Sequence, residues 1–381
     1  MSKVYVAGVG GIPFAKHPQR SLADMALEAG LKALADAGLA AADIRQGYFA
    51  SALAGKLFGE LTVGQNVFAA MGMARIPVVN VENACTSGST ALVLACQAIR
   101  SGDVDCALVI GAEKMCVPQL GLLSSGNSEV DTLLGQVTPA SFALRARRHM
   151  MEFGTTAEQL ALVSVKSRRH GALNPDAQFR QEVSVAEVLA SPLIADPLTR
   201  LQSCPVADGA SALVLCSAAL AARLGARVEV RTAQLCSGDY ANPQDLVRWQ
   251  TDYEGMRRAY EHAGIGPEDL DLVECHDAFS IAEILHYEAM GLCPPGEGGR
   301  LVASGATSLG GRIPVNVSGG LLSRGHPVGA TGVEQVAELA RQLQQRAGAR
   351  QVPGARIGLA QCMGGDLAAD TKSMTAVVLK I

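Results

Sequence analysis

No Cys-x-x-Cys pair occurs among the ten cysteines (85, 96, 106, 116, 204, 216, 236, 275, 293 and 362), and their spacing follows no regular framework. Several stand inside apolar segments, as in Leu94-Ala95-Cys96, so the economical reading is a reduced intracellular protein with thiols in its core. No run reaches the roughly 18 apolar residues of a membrane span, which excludes membrane insertion by a helix. The first residues read as a strand, Lys3 to Gly10, without a signal-peptide layout. The last residues carry no Ser-Lys-Leu tripeptide, so the cytoplasm is the expected location. Charged residues make up only 18% and the net charge is −4, which gives no whole-chain preference for nucleic acid. A Gly-x-Gly-x-x-Gly fingerprint is also missing: Gly8-Val9-Gly10 is followed by Pro13 where the third glycine belongs.

What is present is a buried, glycine-rich chain of 381 residues with 49% hydrophobic content and 41 glycines. That length exceeds what one growing core supports, so two like lobes or an insertion are expected. The chain repeats itself. Ala37-Gly38-Leu39 with Asp43-Ile44 matches Ala263-Gly264-Ile265 with Asp269-Leu270, and Ile76-Pro77-Val78 to Val81 matches Ile313-Pro314-Val315 to Val317. Each second match runs into a small-residue turn, a helix (about 87–101 and 329–346) and a strand (106–111 and 356–360). Alternating strands and helices with β-branched strands predict α/β layers. Residues 117–205 break the rhythm with several prolines and a basic stretch. Seven Lys/Arg stand against three acids between 140 and 180. The expected organisation is one half from 1–116 plus 206–220, an inserted loop domain at 117–205, and a second half at 221–381.

Four polar constellations carry the candidate chemistry. Cys85 lies in Asn83-Ala84-Cys85-Thr86-Ser87-Gly88, after an apolar run and before a helix. Unpaired amides at a helix start favour a thiolate and can hold an oxyanion. His326 lies in Arg324-Gly325-His326-Pro327, where proline fixes the backbone and glycine allows close approach, as suits a general base or an oxyanion donor. His276 lies in Glu274-Cys275-His276-Asp277-Ala278-Phe279, just ahead of a helix that a Ser280/Glu283 capping box is expected to open. Cys362 lies in Gln361-Cys362-Met363-Gly364-Gly365, after a strand and before glycines whose amides can point into a cavity. Glu283 and His286 form a Glu-x-x-His pair, but no second pair accompanies it, so no metal is expected.

In this order the four segments resemble the thiolase family: a cysteine before a buried helix, a Gly-His-Pro loop and a Cys-x-Gly-Gly near the end. His276-Asp277-Ala278-Phe279 stands where many thiolases have Asn-Glu-Ala-Phe, and this resembles the sterol-carrier-protein-type and archaeal-like branch. Some members of that branch carry a cysteine where this chain has Ala278. The resemblance implies a thiolase-like duplicated α/β fold in five layers, α-β-α-β-α, with five-stranded mixed sheets and the insertion as a loop domain over the site. It implies Claisen cleavage and condensation of 3-ketoacyl-CoA, with Cys85 taking the acyl group, Cys362 moving protons and His276 and His326 assisting. Amides of Cys85 and Gly364 are the expected oxyanion donors. Coenzyme A is then a substrate, no resident cofactor or metal is needed, and Arg145, Arg148, Lys166 and Arg169 are candidates for its phosphates. A homodimer or homotetramer is implied, and some relatives use a separate partner protein. Rival readings are a decarboxylating ketosynthase-like enzyme, a non-catalytic acyl-CoA or lipid carrier, and a retro-aldolase acting on sterol side chains.

Overall fold

The computed structural model describes residues 2–381 except 122, 124, 125, 127, 128, 241–244 and 368. The first half contains β1 (Val4–Gly11), α1 (Leu22–Ala37), β2 (Gln46–Ala50), β3 (Val78–Val81), α2 (Ser87–Ser101) and β4 (Cys106–Glu113). The chain then leaves the layers for an excursion that includes α3 (Thr138–Phe153) and α4 (Ala157–Ala172), and returns with β5 (Gly209–Ser217). The second half contains β6 (Val228–Ser237), α5 (Gln250–Ala263), β7 (Leu272–Glu274), α6 (Ser280–Ala289), α7 (Gly320–Arg324), α8 (Val328–Leu343), β8 (Ile357–Leu367) and β9 (Asp370–Lys380).

The sequence repeat is a structural repeat. Helices α1 and α5 both end on a glycine in the left-handed region, Gly38 at φ 66° and Gly264 at φ 68°, where a side chain would be strained. A short 3₁₀ turn follows each, closed by an aspartate that accepts the backbone N–H three residues earlier: Asp43 from Ala40 and Asp269 from Gly266. Each turn then leads into a parallel strand, β2 or β7.

The strand order is β3-β2-β4-β5-β1-β6-β9-β8-β7. Read outward from its middle, β1-β5-β4-β2-β3 and β6-β9-β8-β7 have the same connectivity and the same mixture of parallel and antiparallel pairs. The halves join where β1 and β6 pair antiparallel over three residue pairs, Val4 with Val230, Tyr5 with Glu229 and Val6 with Val228. The fifth strand expected of the second half is reduced to one parallel bridge, Val273 with Val315. Pro314 has no N–H to give, and Asn316 turns into the left-handed region at φ 57°, so the ladder stops there.

Helix α8 packs against β4, β5 and β1 of one half and against β8, β7 and β9 of the other. Helix α2 likewise touches β4, β2 and β6, while α1 covers the first half's outer face and α5 the second's. The layers are therefore α-β-α-β-α, as expected. Small residues let the two central helices cross closely: a Cβ on Gly88 would lie 2.6 Å from the Gly329 carbonyl oxygen, and one on Gly332 would lie 2.7 Å from the Ser89 nitrogen. A Cβ on Gly329 would stand 2.8 Å from the Ala112 carbonyl oxygen and the Ser51 Cα. Those neighbours are backbone and cannot swing aside. Gly329→Ala is therefore expected to lower stability by about 1–3 kcal/mol, as overpacking does. Urea unfolding checks this, and an unchanged midpoint would show the crossing to be looser than described.

Candidate active site

The crossing of α2 and α8 decides where the site forms, because the residues just ahead of the two helices meet there. Cys85 stands two residues before the start of α2, and His326 stands two residues before the start of α8. Ala84 turns sharply at φ 46°, in the left-handed region where a Cβ is strained, and this aims the next side chain out of the strand direction. The turn is tied down by the Ser87 hydroxyl, which donates to the Ala84 carbonyl (2.6 Å) and accepts from the Asn83 N–H (2.8 Å). The Cys85 Sγ then lies 3.3 Å from the His326 Nε2.

The other ring nitrogen fixes the roles. His326 Nδ1 is 2.7 Å from the Thr331 hydroxyl, which itself donates to the Pro327 carbonyl (3.0 Å). The hydroxyl hydrogen is committed, so Thr331 accepts from Nδ1–H and leaves Nε2 as the acceptor facing the thiol. Cys362 reaches the same place from β8, its Sγ 3.2 Å from the Cys85 carbonyl oxygen. The strand continues past Cys362 to Leu367 and does not turn at the glycines; Gly365 takes φ 73° within it. A Cβ on Gly364 would stand 2.8 Å from the Cys85 nitrogen and 3.0 Å from the Thr86 nitrogen, so glycine keeps that space clear. His276 stands edge-on to His326 with ring centroids 5.0 Å apart, and among the described residues neither of its ring nitrogens has a partner.

Burial sets the protonation states. It pushes the Cys85 thiol from 9.0 up to about 12, with the nearby Glu113 carboxylate adding to the effect. That rise opposes the thiolate by about 4 kcal/mol, more than the ~0.5–2 kcal/mol a helix N-terminus offers in return. The helix start favours the thiolate, but burial favours the neutral thiol more. Burial, then the charge of Arg324, lowers His326 to about 3, so its imidazole is neutral too. Cys362 is raised well above 9.0 by burial and by the neighbouring Cys85. Burial thus favours the neutral form of each of these groups in the substrate-free site.

Two buried carboxylates that the sequence analysis did not single out hold this arrangement. Glu113, at the end of β4, accepts from the Ser51 hydroxyl (2.6 Å) and from the N–H groups of Ala52 (2.8 Å), Leu53 (3.2 Å) and Gly329 (3.0 Å). It thereby fastens the start of α8, and with it His326, to the first half. Burial raises its pKa to about 7 despite these bonds. Asp277, beside His276, accepts from the Leu321 N–H (2.6 Å) at the start of α7, the short helix that delivers His326. The excursion grips the same segment: His170 lies 2.9 Å from the Asn316 carbonyl, Asn174 donates to Ser318, and Phe179 N–H to Ser323. The signal for Glu113 was its place at the end of a buried strand. It pointed to nothing until Gly329 was seen opposite.

Three expectations are corrected. Ser280 opens no capping box; the helix begins at it, with Phe279 in the cap position. Glu283 is buried and draws its partners from elsewhere, Lys166 Nζ at 2.6 Å and Asn316 Nδ2 at 2.6 Å. Two of the four phosphate candidates are also unavailable. Arg145 is 1% exposed and bonds Asp366 and the carbonyls of Leu246 and Ala369, while Lys166 is 4% exposed and bonds Glu283, Tyr287 and the Val315 carbonyl. Arg148 and Arg169 are exposed, paired with Glu152 and Glu182 across the surface.

A thiol against an imidazole, with a second thiol and a second imidazole in reach, sits at the junction of the two halves of a duplicated five-layer fold. A thiolase N-terminal domain model matches residues 4–219 and a thiolase C-terminal domain-like model matches residues 239–378. Human sterol carrier protein 2 is 39% identical over 388 residues, covering 96% of this chain and 70% of its own length. The benzoylsuccinyl-CoA thiolase subunit BbsB of Thauera aromatica is 39% identical over 370 residues (95% of each chain), and an acetyl-CoA acetyltransferase of Methanothermobacter thermautotrophicus is 40% identical over 371 residues (96% and 97%). Among solved structures, the Ltp2-ChsH2(DUF35) aldolase superposes with a TM-score of 0.84 at 24% identity (99% and 97% covered). Human mitochondrial 3-ketoacyl-CoA thiolase superposes with a TM-score of 0.77 at 17% identity (100% and 98% covered). The chain belongs to the thiolase family, and it is an acyltransferase of that family.

The raised Cys85 pKa has a direct readout. Alkylation by iodoacetamide follows the thiolate fraction, so its rate at Cys85 is expected to climb about tenfold per pH unit from pH 7 to beyond 9. Peptide mass spectrometry separates Cys85 from the other thiols. A plateau below pH 8 would mean the thiolate already exists in the resting site.

Proposed function

We propose that the protein is a thiolase that cleaves and forms 3-ketoacyl-CoA, with Cys85 as the acyl carrier. The observation that carries this reading is the convergence of two thiols from opposite halves: Cys85 Sγ at 3.3 Å from His326 Nε2, and Cys362 Sγ at 3.2 Å from the Cys85 carbonyl. As the Cys85 sulfur attacks the β-keto carbon, its proton passes to His326 Nε2. The carbon–carbon bond breaks, and an acetyl-CoA enolate leaves and takes a proton from Cys362. Free CoA then attacks the Cys85 thioester and gives its proton to Cys362; acyl-CoA leaves, and the released Cys85 sulfur takes back its proton from His326 Nε2. In the other direction the same groups condense two acyl-CoA molecules.

Charge develops on oxygen twice, so two donor sets are needed. His326 and His276, directly or through a water, serve the enolate of the thioester. The amides of Cys85 and Gly364 serve the tetrahedral oxygen. The free ring nitrogens of His276 support its part, since a structural histidine would have found partners. Coenzyme A acts here as a substrate, and no resident cofactor enters the scheme. No described helix is long and apolar enough to cross a membrane, and a cytoplasmic location belongs to the same reading. So do a homo-oligomer and a separate partner chain, the latter supported by the word subunit in the name of the Thauera relative and by the two-component aldolase.

Incubation with acetyl-CoA is expected to add about 42 Da, one acetyl group, at Cys85. A carrier would show no adduct there. Cys362→Ala is expected to cut thiolysis by about 10²–10⁴-fold, the range of a lost acid/base group; a decarboxylating condensing enzyme would be left largely intact by that change. His276→Ala is expected to lower kcat by about 10²–10³-fold while the protein still folds, because among the described residues its side chain makes no hydrogen bond to lose. Turnover within a few-fold of wild type would remove His276 from the scheme.

A further inference from the structure

The thiol and the two imidazoles of the site form a constellation whose chemistry is wider than acyl transfer. The Cys85 Sγ and one nitrogen from each of His276 and His326 lie within 4.8 Å of one another. Tetrahedral zinc holds sulfur at ~2.3 Å and imidazole nitrogen at ~2.0–2.1 Å, which sets its ligands about 3.3–3.6 Å apart. The Cys85–His326 pair is already at 3.3 Å. Bringing the His276 nitrogen to the same spacing from both partners is a matter of turning its ring, which among the described residues has no hydrogen-bond partner though it is only 4% exposed.

The surroundings resemble those of a metal centre as well. His326 Nδ1 is engaged by Thr331, and this fixes Nε2 as the ligating atom, the arrangement in which bound histidines are normally oriented. Cys85 is only partly buried, which leaves one side of the triangle open for a fourth ligand such as water. Glu283 and His286, the pair that the sequence offered as a carboxylate metal motif, are tied elsewhere: His286 Nδ1 lies 2.6 Å from Asp252.

We propose that Cys85, His276 and His326 form a binding site for a thiophilic divalent cation, zinc above all, which occupies the pocket in competition with acyl substrate. Binding forms one Zn–S and two Zn–N bonds, and the thiol proton passes to solvent. The metal takes the sulfur lone pair that acyl transfer would use, so the bound state is inactive and a chelator restores it. An acyl group on Cys85 removes the thiolate ligand and excludes the metal.

The test uses the purified protein and the metal alone, independent of acyl chemistry. Titration with Zn²⁺ in buffers of different ionisation enthalpy is expected to give one site per chain and one proton released. Co²⁺ is expected to give the intense visible bands of a tetrahedral ion and a sulfur-to-cobalt charge-transfer band in the near ultraviolet. Cys85→Ser is expected to lose that band and weaken Zn²⁺ binding by at least roughly 100-fold, beyond what outer partners contribute. Octahedral cobalt without a thiolate band, or equal affinity in wild type and Cys85→Ser, would overturn the proposal. Metal binding without acetylation by acetyl-CoA would count against the thiolase reading alone.

Discussion

The approach of two helices to within backbone contact is the constraint from which the rest of the molecule follows. Gly88 and Ser89 on α2 meet Gly329 and Gly332 on α8, with no room for a Cβ between them. Both helices are sandwiched between sheets of opposite halves, and the segment ahead of each carries a polar group of the site, Cys85 or His326. A wider crossing would separate the Cys85 sulfur from the His326 nitrogen, and a shift of 1 Å at a reacting centre costs about 10²-fold in rate. The carboxylate of Glu113 locks the crossing by binding the Gly329 N–H, at the expense of burying a charge-bearing group near the Cys85 thiol.

The electrostatics of the site work against charge in the substrate-free state. Cys85 is raised, His326 is lowered and Cys362 is raised, each with burial as the first cause. Such a site does not store a thiolate. Under the proposed function, preorganised donors act in such a site when a substrate oxygen becomes negative, which is where transition-state stabilisation is effective. A neutral resting thiol is also slower to be oxidised or alkylated by small molecules than an exposed thiolate would be.

Much of this was legible in the residues. Matching Ala-Gly-Leu/Ile…Asp stretches revealed the duplication because each glycine ends a helix in the left-handed region, a demand that few other residues meet. Cys85, His276, His326 and Cys362 stood out because small or rigid residues surround each. The partners of the basic stretch were not legible, since nothing in Arg145 or Lys166 announces that Asp366 and Glu283 will bury them from more than a hundred residues away. Glu113 and Asp277 were equally hidden. Each acts on a backbone amide of a distant segment, and backbone amides have no letter in a sequence. The capping box at Ser280 failed for the same reason: Glu283 had a stronger, distant cation to meet.

The equal offset of Cys85 and His326 from their helices bears on the duplication itself. In the two repeats, the same architectural position carries a thiol in one half and an imidazole in the other. Two identical copies would have placed a sulfur beside a sulfur or a ring beside a ring. Because both repeats stand in one polypeptide, the two positions are free to differ, so the pairing of sulfur with ring belongs to neither repeat taken separately.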